Sequence, residues 1–294
     1  MKTWMWIFLS IMGLFLIGKS AEEWFLNNYA KQEVAIAVQT GKISIQNFEE
    51  TIQRIYQEAD YVIKVQKIVF KKSLADESEM IPDESKSGFG AGIIFRRNGA
   101  YYVLSASHLA SDDPLPKFFA HFRNKEKQSL EVVASNSDLD FAVLAFNDKK
   151  FHPEKVARFG NSSALKPGTL VLAFGFWATE DLDFMMRNGI VVKPVGPPNF
   201  FLKSRLLISQ ITVPKKIITH SAQIAPGFSG GPLVLLNGEV VGVNVILTPV
   251  TSIASPINEI LEAMEKNDEK YRQSKKISEP ITVTASKVFK NQKK

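Results

Sequence analysis

The stretch Ala225–Val234 reads APGFSGGPLV and sets Ser229 between Gly227 and the pair Gly230-Gly231. A serine hydroxyl attacks only when a neighbouring base takes its proton, and that base must be held in the right tautomer by a carboxylate. The meaning of this stretch therefore turns on where its partners lie. GFSGG matches the G-x-S-x-G elbow of open α/β sheets, but in that architecture the acid and then the histidine follow the serine. The four histidines are His108, His121, His152 and His220, and none follows Ser229. The elbow is excluded, and a base must come from upstream in the order His, Asp, Ser.

Upstream, YYVLSASHLA places His108 just after an apolar, strand-like run, where a loop could present its imidazole at a cleft. In SDLDFAVLAF, Asp140 opens a run in which Phe141, Ala142, Val143 and Leu144 are all apolar. An acid at the lip of a buried strand is where an orienting carboxylate would sit. Asp138 is its rival two residues earlier, and Asp140 is preferred because it directly adjoins the strand.

The flanking chain favours β structure. Beyond Tyr61 come short β-like runs divided by turn residues: VIKVQKIVF, GAGIIF, YYVLSAS, FAVLAF, TLVLAFGF, GIVV, LLISQITV, PLVLL and EVVGVNVIL. Many short strands with almost no helix between them predict an all-β barrel or sandwich. Asn98-Gly99 and Asn237-Gly238 have the composition of hairpin turns. A helix should close this region, capped by Ser255, with Pro256 in its first position and Ile257, Ile260, Leu261 and Met264 on one apolar face. Before the β region, two helices are expected. One runs near Trp24 to Val38, and after Gly41 a second carries Phe48, Ile52, Ile55, Tyr56 and Ala59 at helical spacing. This segment, residues 21–60, reads as a spacer packing on the main domain, with a regulatory or partner-binding element as the alternative.

Composition removes several classes of function. The 294 residues contain no cysteine, so disulfides, thiolate metal sites and a cysteine nucleophile are out. No two histidines stand at metal-ligand spacing, and neither a metal nor a cofactor is expected. The net charge of +6 belongs largely to the stretch from Glu265 to Lys294, with eight lysines and Arg272 against four acids. It reads as a solvated tail over 267–294, in which ITVTASKVF could pair as an edge strand, and nucleic acid is not an expected partner. At the other end, TWMWIFLSIMGLFLIG is uncharged, and at about 1.5 Å per residue it spans about 24 Å, short of a bilayer core of about 30 Å. Residues 1–20 fit an export signal or a retained membrane anchor, and either takes the rest of the chain out of the cytoplasm.

Together these pieces carry a resemblance. SASH resembles the TAAH or TNxH motif, DFAVL resembles DLAVL, and APGFSGGPLV followed by GEVVGVNV resembles the nucleophile region of trypsin-like serine peptidases, nearest the bacterial HtrA/Deg type. GAGIIF and the NGIVV at Asn188 are similar to that type as well. The motifs fall in order, with His108 and Asp140 separated by 32 positions and Asp140 and Ser229 by 89.

The resemblance implies an all-β fold of two six-stranded antiparallel barrels of chymotrypsin type over residues 61–266, with the C-terminal helix behind and the helical segment in front. It implies that His108 is general base and then acid, that Asp140 orients it, and that Ser229 forms an acyl-enzyme. The N–H groups of Gly227 and Ser229 would make the oxyanion hole. The specificity pocket would have its base near Gln223 and its wall at Val245, Ile246 and Leu247, with no acid to pair a basic side chain. Phe228 departs from the family, which usually carries Asp or Asn there, so activation through a freed N-terminus is not expected. Control of the oxyanion loop is expected instead from the loop Trp177 to Met186. Fewer than a domain's worth of residues follow Met264, so no PDZ module is expected.

The function implied is an exported serine endopeptidase acting on protein or peptide, with oligomers and membrane contact as further expectations. A catalytically silent domain serving as a binding or scaffold module is the alternative, and a hydrolase of other acyl substrates on the same triad is the third reading.

Overall fold

The computed structural model describes residues 45–73, 79–110, 116–177, 183–198 and 213–266. The expected helix at Trp24–Val38, the N-terminal apolar run, the segment LLISQITV up to Thr212 and the basic tail lie outside them. Helix α1 (Ile45–Glu58) comes first. Its apolar stripe ends in Ile55 and Ala59, both buried, and a single 3₁₀ turn, Ala59–Tyr61, leads into the first strand. Both residues belong to the main core cluster, so the helix packs its apolar stripe onto the barrel that follows.

Fifteen strands lie among the described residues. They are β1 (Val62–Ile68), β2 (Phe70–Lys72), β3 (Met80–Pro82), β4 (Gly88–Arg97), β5 (Ala100–Ser105), β6 (Lys117–His121), β7 (Lys127–Asn136) and β8 (Phe141–Phe146), followed by β9 (Arg158–Phe159), β10 (Leu170–Phe176), β11 (Phe184–Gly196), β12 (Ile217–His220), β13 (Pro232–Leu235), β14 (Glu239–Leu247) and β15 (Ser252–Pro256). The first barrel runs β1-β4-β5-β8-β7-β6 and closes by β1 pairing with β6. The second runs β13-β10-β11-β12-β15-β14 and closes through β13 and β14, with β9 added outside it, parallel to β14. The two closed six-stranded antiparallel barrels are those of the chymotrypsin fold, and closure removes the open edges that a flat sheet would expose.

Local sequence explains much of this. Asn98 and Gly99 both have positive φ, 50° and 82°, the pair of left-handed residues that a two-residue hairpin turn between β4 and β5 demands. Strand β8 is buried at all six positions, which is why FAVLAF shows no polar alternation. One core cluster runs from Ile55 through the first barrel and on to Phe174, Phe176 and Val234 of the second. A second cluster gathers Val171, Val191, Leu233 and Phe228. Burying each large side chain of this kind contributes about 1.5–3 kcal/mol relative to leaving it exposed.

The closing helix, α2 at residues 257–266, corrects one expectation. Ser255 and Pro256 are not its cap and first residue, because both are still paired in β15, with Val243 and Gly242. The Ser255 hydroxyl donates instead to the carbonyl of Leu139. Among the described residues no helix is long and apolar enough to cross a membrane.

Candidate active site

The register of the first barrel brings its two polar candidates together. Ser105 at the end of β5 pairs with Ala142 near the start of β8, so the chain leaving β5 and the chain entering β8 share one rim. His108 stands three residues beyond the first, on the 3₁₀ turn Ser107–Ala110, and Asp140 two residues before the second. His108 Nδ1 lies 2.8 Å from Asp140 Oδ2. The other carboxylate oxygen, Oδ1, accepts from the Ser107 hydroxyl at 2.8 Å and from the His108 backbone N–H at 3.0 Å.

Asp140 is 5% exposed and has a φ of 49°, a left-handed conformation that costs most residues energy but that Asp tolerates. Burial is the largest influence on its carboxyl and pushes the pKa up. The hydrogen bond and charge of His108, the Ser107 hydroxyl and the His108 N–H together outweigh it and hold the pKa below the ordinary value. Asp140 is thus a buried carboxylate kept ionised, while the imidazole it holds is 44% exposed on its side chain. The rival acid, Asp138, faces outward in an ion pair with Lys215 at 2.6 Å and does not reach the histidine.

Ser229 arrives from the second barrel. Its carbonyl accepts from Ala91 N at 2.7 Å, on β4 of the first barrel. A Cβ built on Gly90 would meet Leu109, the neighbour of His108, at 2.3 Å and the Ser229 carbonyl at 2.5 Å, so both crowd one point of the seam. Gly230, at φ 86°, fits only as glycine, since a side chain there would strike Ala91 O at 2.2 Å and Ser105 Oγ at 2.3 Å. Asn244 on β14 braces the loop from behind. Its carbonyl accepts from Gly230 N at 2.7 Å, and its N–H donates to Gly231 O at 2.8 Å. The Ser229 hydroxyl is turned toward the Val245 carbonyl, 3.5 Å away, and no hydrogen bond among the described residues joins it to His108.

The turn in front of Ser229 follows from its sequence. Phe228 N donates to Ala225 O at 3.0 Å, with Pro226 second and Gly227 third at φ 98°, the arrangement of a type II turn. Proline sets the second residue's φ and glycine supplies the positive φ of the third, so APGF encodes this turn directly. Among the described residues the N–H groups of Gly227 and Ser229 donate to no acceptor. Phe228 is fully buried and packs closely on β10, where a Cβ on Gly175 would strike its ring at 2.5 Å. A hydrophobic plug therefore anchors the turn where the family usually has an acid.

Of the pocket residues expected from sequence, Val245 and Ile246 are buried in β14, Leu247 is 48% exposed and Gln223 is exposed. Gln223 is open to solvent between the buried Ala222 and Ile224. The expected control loop, Trp177 to Met186, is in its described part mostly strand, because Phe184, Met185 and Met186 pair with Phe176, Gly175 and Phe174. Among the described residues no three His, Asp or Glu gather as a metal site.

A family model described as the trypsin-like peptidase domain matches residues 90–243, half of the chain. The chain belongs to the trypsin-like peptidase family. Among curated relatives, it is similar to the serine protease Do-like HtrA of Bacillus subtilis (strain 168), with 32% identity over 60% of this chain and 36% of that protein. It is also similar to a probable periplasmic serine endoprotease, DegP-like, of Pseudomonas savastanoi pv. phaseolicola, with 32% identity over 53% of this chain and 28% of that protein. The chain thus spans about a third of the length of these relatives. A solved HtrA-type protease, AlgW with a tripeptide, matches at a TM-score of 0.55 and 20% identity, over 76% of this chain and 63% of that one, and shows the shared fold.

Sequence reasoning passed over His220 in this trypsin-like domain. It is wholly buried at the end of β12, and neither ring nitrogen has a hydrogen-bond partner of normal geometry. Burial dominates and lowers its pKa to about 4, with the Asn244 side chain and Ala222 backbone nearby pulling weakly upward. The unfolded chain takes up this proton near 6.5 and the folded chain does not. The stabilisation is fully present above about 6.5 and is lost as pH falls toward 4, by about 3 kcal/mol in total. Urea unfolding between pH 7 and 4.5 should show this loss, and His220→Thr should flatten it. An equal slope in both proteins refutes the assignment.

Proposed function

We propose that this trypsin-like domain is a serine endopeptidase that cleaves peptide bonds through an acyl-enzyme. The observation that carries the reading is the His108–Asp140 pair, 2.8 Å apart, on the seam where the Ser229 turn from the other barrel offers two open N–H groups. In this reading Asp140 keeps the proton of His108 on Nδ1, leaving Nε2 free to accept. The Ser229 hydroxyl leaves the Val245 carbonyl by rotation about Cα–Cβ and gives its proton to Nε2 as Oγ attacks the scissile carbonyl. Such hydrogen bonds are commonly loose before substrate binds. The N–H groups of Gly227 and Ser229 take the negative charge of the tetrahedral oxygen. The imidazolium then returns its proton to the departing amine, and water, deprotonated in turn by His108, releases the acyl group.

The names of the B. subtilis and P. savastanoi relatives support protein substrates, and the second supports an extracytoplasmic setting, as does the apolar run near the N-terminus. Treating the folded protein with a fluorophosphonate and mapping the adduct by mass spectrometry tests the reading. The adduct is expected on Ser229, with parallel cleavage of denatured casein. A folded protein that takes up no label ends the proposal, and ester turnover without peptide turnover replaces it with the acyl hydrolase.

A further inference from the structure

We propose that Tyr56 on helix α1, held by Arg123, is a positioning residue for the oxyanion turn, so that the N-terminal helix keeps the peptidase site ordered. The inference rests on the peptidase reading and names a control built into the same site.

The contacts form an unbroken path. Tyr56 lies 5.1 Å, ring to ring, from Phe184, and its hydroxyl donates to the Phe184 carbonyl at 3.3 Å. The guanidinium of Arg123, at the β6–β7 hairpin, sits 5.2 Å from the Tyr56 ring and 4.6 Å from that of Phe184. It also donates to the Tyr56 carbonyl at 3.3 Å and pairs with Asp60 at 3.0 Å, so one side chain from the first barrel fixes both helix and ring. Phe184 opens β11 opposite Phe176, the last residue of β10, and their rings are 5.5 Å apart. Phe176 in turn grips the turn itself. Its N–H donates to Gly227 O at 3.2 Å, and its carbonyl lies 2.1 Å from where a Gly227 side chain would start.

The peptide that carries the Gly227 carbonyl is thus set by Phe176, whose aromatic backing comes from Phe184 and, behind it, from Tyr56. Among the described residues no ion pair fixes the turn, and Phe228 stands where an acid would be needed for one. Ring contact with α1 supplies order from the other side. An oxyanion donor displaced even slightly loses much of its effect, since the charge it must meet is fixed in space.

The test compares Tyr56→Ala, Tyr56→Phe and Arg123→Met in the full chain, all measured well below their unfolding temperatures. Tyr56→Ala should lower kcat on a peptide substrate about tenfold or more with KM within about twofold, and slow fluorophosphonate labelling in proportion. Tyr56→Phe keeps the ring and should stay within about threefold of the parent, while Arg123→Met falls between the two. A purely structural role lowers the unfolding temperature and leaves kcat alone, and kcat within about twofold of the parent in Tyr56→Ala refutes the proposal. If Tyr56→Ala does not fold, Arg123→Met decides by the same criterion. If the parent protein itself does not label, the peptidase reading fails first. Amide hydrogen exchange across residues 224–231 then decides this proposal alone, faster exchange in Tyr56→Ala supporting it and unchanged exchange overturning it.

Discussion

Ser229→Ala should lower hydrolysis of denatured casein by about 10⁴-fold or more and abolish fluorophosphonate labelling, with the fold intact. The size of the effect follows from the chemistry, because without Oγ no acyl-enzyme forms and what remains is water activated by His108 beside the oxyanion turn. The fold should survive because Ser229 is held by its backbone. Its carbonyl is bound by Ala91 N, and the glycines after it are braced by Asn244. The hydroxyl contributes only a 3.5 Å contact with Val245. Circular dichroism and the unfolding midpoint should therefore match the parent while activity vanishes. Persistent labelling in the variant would remove Ser229 from the mechanism.

Asp140→Asn should cost a comparable amount, about 10⁴-fold in kcat at neutral pH, although it changes one atom. The geometry dictates which way the amide turns. Oδ1 already accepts from both the Ser107 hydroxyl and the His108 N–H, so the asparagine oxygen must stay there and its NH₂ must face Nδ1. An N–H pointed at Nδ1 forces the imidazole proton onto Nε2, the nitrogen that should receive the serine proton. The left-handed backbone at φ 49° is one that Asn also accepts, which keeps the variant folded. A loss smaller than about tenfold would show that His108 does not depend on this carboxylate for its tautomer.

The candidate site was more legible in the sequence than the barrels that hold it. Ser229, His108 and Asp140 each stand beside an apolar run, and the absence of any later histidine fixed their order. Strands buried on both faces, such as β8 and β14, announce themselves as unbroken apolar runs. Strands β6 and β7 do not. KFFAH is short, and KQSLEVVASN is exposed or half-exposed at nine of its ten positions, so neither shows a decisive pattern. Ser255-Pro256 has the composition of a helix start, but pairing with β14 carries the strand as far as the proline. Gln223 follows the buried Ala222 at a spacing that says nothing about which way its own side chain turns. The contact of Tyr56 with Phe184 joins residues 128 positions apart, and a ring contact leaves no periodic trace at such a separation.

Two bonds described above bear on how firmly the candidate groups are held relative to one another. Ser255, at the end of the last strand, is tied to the Leu139 carbonyl, the peptide immediately before Asp140, while Ala91 is tied to Ser229. The two barrels are thus tied by one hydrogen bond beside Asp140 and another at Ser229. Prising the barrels apart at this point means breaking both, so the folded chain itself sets the spacing of the candidate groups.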